Sequence, residues 1–396
     1  MNKIISIKAR EILDSRGDPT VEVELETDNH IKTIASVPSG ASVGSYEAIE
    51  LRDNDPQRFG GKGVLKAVGN VNTTIGPALV GVETSNQKAI DDTLVSLDGT
   101  PHKSKLGANA MLAVSIAVCR AGAIEKRIPL YKYIQQLSGT SSPKLPLAMF
   151  NFIEGAKHAD NNLVIQEFLV IPENEKFADN YRVASEVFHS LGKILKNRGL
   201  GSAVGHEGGF APSLPSDEDA FRLIQEAGQL KMALDFAGAV PNNLPLDKIA
   251  STYPVISFED PVPEDDFDGW RDVMQKFGSK ILIVADDVFA SNTERFKEGM
   301  AKGVANAVIV KPNQIGTISE ILEFVKVARE SKCRLVVSHR SGETEDSFIA
   351  DFAVGIAADY AKLGAPSRGE RVSKYNRLLR IEEELIPAQS PKPNAK

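Results

Sequence analysis

The sequence predicts an α/β chain in which an N-terminal α+β capping domain precedes a (β/α)8 barrel. From Met232 onward a short apolar run ending in a charged residue recurs in KMALD, VISFED, ILIVADD, NAVIVKPNQ and RLVVSHR. The terminal residues Asp235, Glu259, Asp286, Lys311 and His339 follow one another at roughly 25 residues, about one strand, one helix and two loops. The first part of the chain lacks this cadence, and 396 residues with 42% hydrophobic content suffice for a barrel and a second domain.

Taken in order, IISIKAREI, TVEVELET and KTIASV alternate or favour β-branched residues, with the turn-forming DSRGDP between the first two. They read as an antiparallel meander. Helical periodicity follows over Gly63–Leu79, Ser85–Leu97 and Ala108–Lys126. LSGTSSPKLP, residues 137–146, is rich in Ser, Pro and Gly and reads as a linker, so the capping domain is placed at 1–136 and the barrel at 147–386. After it come strand-like LAMFNF and LVIQEFLVIP, a helix over Phe177–Arg198, and GSAVGHEGGFAP, read as a short strand running into a glycine-rich loop with Glu207. The polar, proline-rich 387–396 is expected to be disordered.

Composition narrows the function classes. A net charge of −7 argues against a nucleic-acid partner, which needs surplus Lys and Arg. Cys119 and Cys333 lie in apolar stretches and read as buried thiols, not a disulfide framework. The N-terminal apolar run is too short for a signal-peptide core, and NAMLAVSIAVCRAGAI carries Arg120, so no membrane span is expected. A cytoplasmic location follows as an expectation.

In a (β/α) barrel the C-terminal strand ends converge on one mouth, where the chemistry resides. Three carboxylates there, Asp235, Glu259 and Asp286, suit Mg²⁺, a hard cation that takes oxygen ligands. Each alone would serve equally as a helix cap, a role that Asp260 before Pro261 fits well. Lys311 ends a buried run and reads as an ion-paired lysine or, with burial and nearby cations lowering its pKa, as a general base. Glu207, between glycines, is the matching acid candidate, or an ordinary solvated loop glutamate. Arg340 and Ser341 beside His339 suit a phosphate, although Arg340 could instead pair with Glu343 or Glu345. PSGAS, Pro38–Ser42, is small enough to act as a lid.

These motifs resemble the enolase family over nearly the whole chain: REILDSRG, VPSGAS, HADNN, EGGFAP, SFEDP, KPNQIGTISE, SHRSGETED, LGAP and LLRIEEEL. The resemblance implies a barrel whose opening strands are not all parallel, and a lyase that interconverts 2-phosphoglycerate and phosphoenolpyruvate. It implies Asp235, Glu259 and Asp286 as ligands of one Mg²⁺ and Ser39 as the lid residue reaching a second Mg²⁺ that arrives with substrate. Lys311 would be the base and Glu207 the acid, supported by Glu167. Gln166, Arg340, Ser341 and Lys362 would bind the small phosphorylated substrate, with His158 and His339 nearby, in a homodimer or higher homo-oligomer. At the mouth, metals, Lys311, Arg340 and Lys362 are expected to outweigh the carboxylates.

The chain departs from the family's pattern near the chemistry. His206 stands where an Asp is usual, Glu154 and Ala156 replace parts of an Asn-Gly-Gly, Val43 replaces a threonine and Asp18 an asparagine. His206 is expected to lower the Glu207 pKa or to join its proton relay. Two other readings stay open: a relative acting on a carboxylate without phosphate, and an impaired enzyme acting mainly as a binding (moonlighting) protein, with a surface or secreted fraction.

Overall fold

The computed structural model describes residues 2–40 and 46–386. The expected tail at 387–396, position 43 and the last two residues of the expected lid, 41 and 42, therefore lie outside the described residues. The N-terminal part opens with β1 (Ile4–Leu13), β2 (Pro19–Thr27) and β3 (Lys32–Ser36), an antiparallel meander as expected. Short helices α1 (Leu65–Asn70) and α2 (Gly76–Leu79) flank a π-helical turn, and α3 (Gln87–Asp98), α4 (Ala108–Glu125) and α5 (Leu130–Ser138) follow. The last of these runs two residues into the segment read as linker.

By length and composition α4 would pass for a membrane span, against the expectation that no segment does. It is apolar all round because it is an interior helix, 83% buried and packed on β2, β3, α3 and α5.

The remaining strands are β4 (Leu147–Glu154), β5 (Glu167–Ile171), β6 (Lys231–Asp235), β7 (Val255–Glu259), β8 (Leu282–Ala285), β9 (Ala307–Val310), β10 (Arg334–Ser338) and β11 (Tyr360–Lys362). They close into one eight-stranded barrel. Only β5 runs against its neighbours, pairing antiparallel with β4 and β6. Around it lie α6 (Phe177–Asn197), α7 (Asp217–Ala227), α8 (Leu246–Thr252), α9 (Phe267–Phe277), α10 (Thr293–Lys302), α11 (Ile318–Glu330), α12 (Phe348–Gly355) and α13 (Gly369–Leu385). GSAVGHEGGFAP contains no strand, only isolated bridges of Phe210 to Val204 and Ile153. Its glycines close a tight turn instead, with Gly205 N–H donating to Gly209 O at 2.9 Å.

Strand periodicity separates two cores. Met149, Leu169, Ala233, Val284, Ile309 and Val336 pack together inside the barrel, while Met232, Leu234, Phe258, Ile283, Val308 and Val337 belong to the layer shared with the helices. In β7 a register shift opposite Met232 and Ala233 resets the phase, so that Ser257 pairs with Ala233 and Glu259 with Asp235. Glu259 thereby faces inward.

Phe258 is fully buried in the outer layer, edge-on to Phe236 at 5.6 Å and Phe277 at 5.7 Å. Phe258→Ala should therefore cost about 3–5 kcal/mol, read as a lower urea midpoint at unchanged slope. A loss below about 1 kcal/mol would show that this layer can collapse around the gap.

Candidate active site

One cavity at the barrel mouth is lined by His158, Gln166, Glu167, Glu207, Asp235, Asp286, Lys311, His339, Arg340, Ser341 and Lys362, together with Ala237, Asp260, Asp287 and Ser338. The two-residue strand period accounts for most of these. Asp235, Asp286, Lys311 and Lys362 each lie two positions beyond a residue of the inner core or its border, respectively Ala233, Val284, Ile309 and Tyr360. Glu167 lies two before Leu169 because β5 runs the other way, with its first residue at the mouth.

Lys362 ties this ring together. Its Nζ lies 2.9 Å from Asp235 Oδ2, 2.9 Å from both Glu259 oxygens and 3.2 Å from Glu167 Oε1, with all four side chains buried. Burial disfavours the ammonium, but Asp235, Glu167 and Glu259 hold its pKa well above the usual lysine value. Gln166 adds a bond from Nε2 to Asp235 Oδ2 at 3.2 Å. Burial, then the Asp235 charge, pushes Glu259 well above the usual carboxylate range.

Lys311 Nζ contacts Asp286 Oδ2. The expectation of a depressed lysine pKa is reversed here: burial lowers it, but Asp286 more than offsets that and the net shift is upward. Asp260 also departs from its expected role, since the next helix begins at Phe267 and is capped by Asp266. With φ +40°, Asp260 instead accepts from the Asp286 and Asp287 backbone N–H groups, both at 2.9 Å. Burial and the charges of Asp287 and Asp286 push its carboxyl well above the usual range.

Opposite Lys311 sits Glu207, buried and not solvated. Its Oε2 lies 3.0 Å from His339 Nε2 and accepts from Asn151 Nδ2 at 3.2 Å. Arg371 Nη1, which can only donate, lies 2.6 Å from His339 Nδ1, so that nitrogen accepts and Nε2–H donates to Glu207. Burial holds the His339 pKa down to about 4, keeping the ring neutral. Burial opposes ionisation of Glu207, yet His339 and His158 outweigh it and hold its pKa well below the carboxylate norm.

No hydrogen bond or ion pair joins the His206 side chain to Glu207, although the Glu207 charge acts on the imidazole against its burial and the charge of His158. The His206 ring is exposed, with its centroid 6.4 Å from that of His158, and only its backbone enters the network, as an acceptor from Arg371 at 2.9 Å. Burial of His158 lowers its pKa less than the Glu207 and Glu167 carboxylates raise it, and the net position is about 9.

Two loops close the far side. Arg340 pairs in a fork with Glu47, at 2.8 and 3.3 Å, and reaches Asn313 at 3.2 Å, not Glu343 or Glu345 through its guanidinium. Ser39 bonds by backbone in both directions to Gly342, at 2.8 and 2.9 Å, and its hydroxyl joins Arg52 at 2.7 Å and Glu50 at 3.0 Å. Ser39 and Glu259 do not line the cavity.

The donor set fits a hard divalent cation. Six carboxylates line the cavity (Glu167, Glu207, Asp235, Asp260, Asp286, Asp287) against three permanent cations (Lys311, Arg340, Lys362), so the protein groups alone leave a negative surplus. The cations outweigh the carboxylates only if metal is counted. Gln166 Oε1, Glu167 Oε2 and Asn151 Oδ1 are buried oxygens without a protein partner. Among the described residues, ligand atoms within 4.8 Å of one another come from Asp260, Asp286 and Asp287, and from His158, Glu167 and Glu207. Asp286 thus belongs to one such group, while Asp235 and Glu259 are gathered by Lys362.

Sequence reasoning missed Asp260 and Asp287 as cavity residues, although the doubled acids of SFED and VADD carried the signal. It missed Arg371 altogether. This fully buried arginine of α13 binds His339 and the carbonyls of Arg340, Ser341 and His206, and no local pattern distinguishes it from a surface helix arginine.

Two models of known families match the chain. That of the enolase N-terminal domain matches residues 4–134, and that of the enolase C-terminal TIM barrel domain matches 142–240 and 243–391, more than half of the chain.

His158 supplies a pH test. Its folded pKa of about 9 lies above the ordinary 6.5, so its stabilisation is complete below about pH 6.5 and is lost as pH rises through about 9. The stability difference between the parent and His158→Gln should shrink by on the order of 2 to 3 kcal/mol between about pH 6 and pH 9.5. A difference independent of pH would mean that His158 is neutral in the fold.

Proposed function

The chain belongs to the enolase family, and from that premise we propose that it is a Mg²⁺-dependent hydro-lyase that converts 2-phosphoglycerate reversibly to phosphoenolpyruvate. One observation carries the reading: a lysine at the end of β9 and a glutamate on the 205–209 turn line the same cavity as Arg340, Ser341 and Lys362. A base, an acid and an anion cradle are thus gathered around one space.

In this reading Lys311 removes the proton from C2, and the electron pair of that bond moves into the substrate carboxylate. As that pair returns to form the C2=C3 bond, the C3–O bond breaks and Glu207 gives a proton to the departing C3 hydroxyl, which leaves as water. Negative charge accumulates on oxygens that are already anionic, so compensating charge must be in place beforehand. Mg²⁺ held by Asp235, Glu259 and Asp286, with a second ion accompanying substrate near Ser39, would supply that charge. Lys311 can act as a base once Asp286 is committed elsewhere, because that carboxylate is what holds its proton. Lys362, released from Asp235 and Glu259 in the same way, faces the substrate carboxylate. Arg340 and Ser341 take the phosphate, with Arg340 leaving Glu47 to do so.

Glu207 must be protonated when the C3 hydroxyl departs, whereas its protein neighbours favour its ionised form. An anionic substrate placed beside it raises the cost of that charge and favours proton uptake. Neutral His339 keeps its Nε2–H on Oε2, which leaves Oε1 as the oxygen that carries the proton. Glu167 and His158 border it: His158 Nδ1 is 3.3 Å from Glu167 Oε1 and 3.7 Å from Glu207 Oε1.

The test is ultraviolet absorbance of the enol product after mixing purified protein with 2-phosphoglycerate. Turnover should require Mg²⁺ and should fall by about 10²- to 10⁴-fold in Lys311→Ala. Equal rates with and without Mg²⁺, or an undiminished Lys311→Ala enzyme, would remove the reading.

A further inference from the structure

We propose that Glu154 is a positioning residue for the acid: its buried carboxylate clamps the turn that carries Glu207 and fixes where the Glu207 side chain enters the cavity. The inference rests on the reading of Glu207 as the acid and adds a residue to it.

The geometry is that of an internal carboxyl group seated in a backbone nest. Glu154 ends β4 with no solvent exposure. Its Oε2 accepts from Glu207 N–H at 3.0 Å and its Oε1 from Gly209 N–H at 2.5 Å. Gly208 between them has φ +89°, a conformation that turns alternate N–H groups toward one point. Gly205 N–H donates to Gly209 O at 2.9 Å and closes the turn around this point. No side chain fits on the inner face: a Cβ on Gly205 would stand 2.3 Å from Glu154 Oε2, and one on Gly209 2.9 Å from Oε1.

The clamp is itself anchored. Asn161 Nδ2 holds the Glu154 carbonyl at 2.8 Å, and Glu154 N–H donates to Phe210 O at 2.9 Å. The backbone of Glu207 is therefore tied to the rigid end of a barrel strand through a side chain, and its carboxylate inherits that placement. Two converging N–H donors require two acceptor oxygens. The two carboxyl oxygens of glutamate supply both, whereas a glutamine must turn its NH2 toward one of them. Burial and the Glu207 charge push the Glu154 carboxyl up to about 8, so the two groups sense each other's protonation as well as sharing a turn.

The two halves of the proposed reaction separate positioning from general damage. Proton exchange at C2 depends on Lys311, on the other side of the cavity, while loss of the C3 hydroxyl depends on Glu207. With Mg²⁺ and 2-phosphoglycerate in ²H₂O, C2 exchange is followed by NMR and dehydration by absorbance. Glu154→Gln should lower dehydration kcat by about 10²-fold, leave KM within about 3-fold, and slow C2 exchange far less than dehydration. Equal losses in both steps, or no loss in dehydration, would overturn the proposal. Should Glu154→Gln fail to fold, Gly209→Ala, which keeps the carboxylate and displaces one oxygen, must show the same split. Hydrogen exchange of the Glu207 and Gly209 amides reads the clamp without turnover. Protection lost in Glu154→Gln supports it, and protection unchanged overturns it. A parent protein that turns over nothing but loses this protection in the variant would instead defeat the enolase reading alone.

Discussion

The barrel mouth depends on one constraint, the burial of more carboxylates than the protein's own cations can balance. Asp235, Glu259 and Glu167 all approach a single ammonium, that of Lys362, at 2.9 to 3.2 Å. Isolated carboxylates in this environment would be very costly, and a lysine reaching across the barrel mouth from β11 relieves the cost at the price of a strongly raised pKa. Lys311 does the same for Asp286. Stability and catalysis thus make opposed demands on the two lysines. As counterions they balance the buried carboxylates, and in the proposed reaction, as base and substrate ligand, they must leave them.

The same tension runs through the acid side. Glu207 is flanked by a neutral imidazole, a cationic one, an amide and, through its own backbone, Glu154. These contacts reach it from β4, the 3-10 turn at Ala156–His158, β10 and, by way of Arg371, α13. A loop glutamate held from four directions behaves as part of the scaffold. In the proposed reaction that rigidity would place the Glu207 proton at one atom.

How much of this was legible in the sequence follows from where each residue sits relative to the strand period. The inward charges of β6, β8 and β9 could be read directly, because each closes an apolar run with the same spacing. Glu259 was also found, although only the register shift in β7 turns it inward. Glu167 and Gln166 could not be read in this way: β5 is reversed, so its mouth end precedes its apolar run, and the family resemblance had to supply them. Asp260 was misread because Asp-Pro after a strand usually starts a helix, whereas here the backbone takes φ +40° and turns the carboxylate onto two neighbouring amides. His206 was read from its adjacency to Glu207, and no direct side-chain bond joins the two. Adjacency in sequence to Glu207 says nothing about side-chain direction, and successive residues of a tight turn point apart. The Glu47–Arg340 pair and Arg371 join residues far apart in sequence, which no local pattern encodes.

The central claim is that a divalent cation and the two lysines compete for the same buried carboxylates. A crystal structure of the protein with Mg²⁺ tests it most directly. The account predicts an ion coordinated by Asp235, Glu259 and Asp286, with Lys362 Nζ withdrawn from the 2.9 Å contacts it makes with Asp235 and Glu259. A Mg²⁺-saturated crystal in which Lys362 still holds both carboxylates and no ion touches them would contradict it.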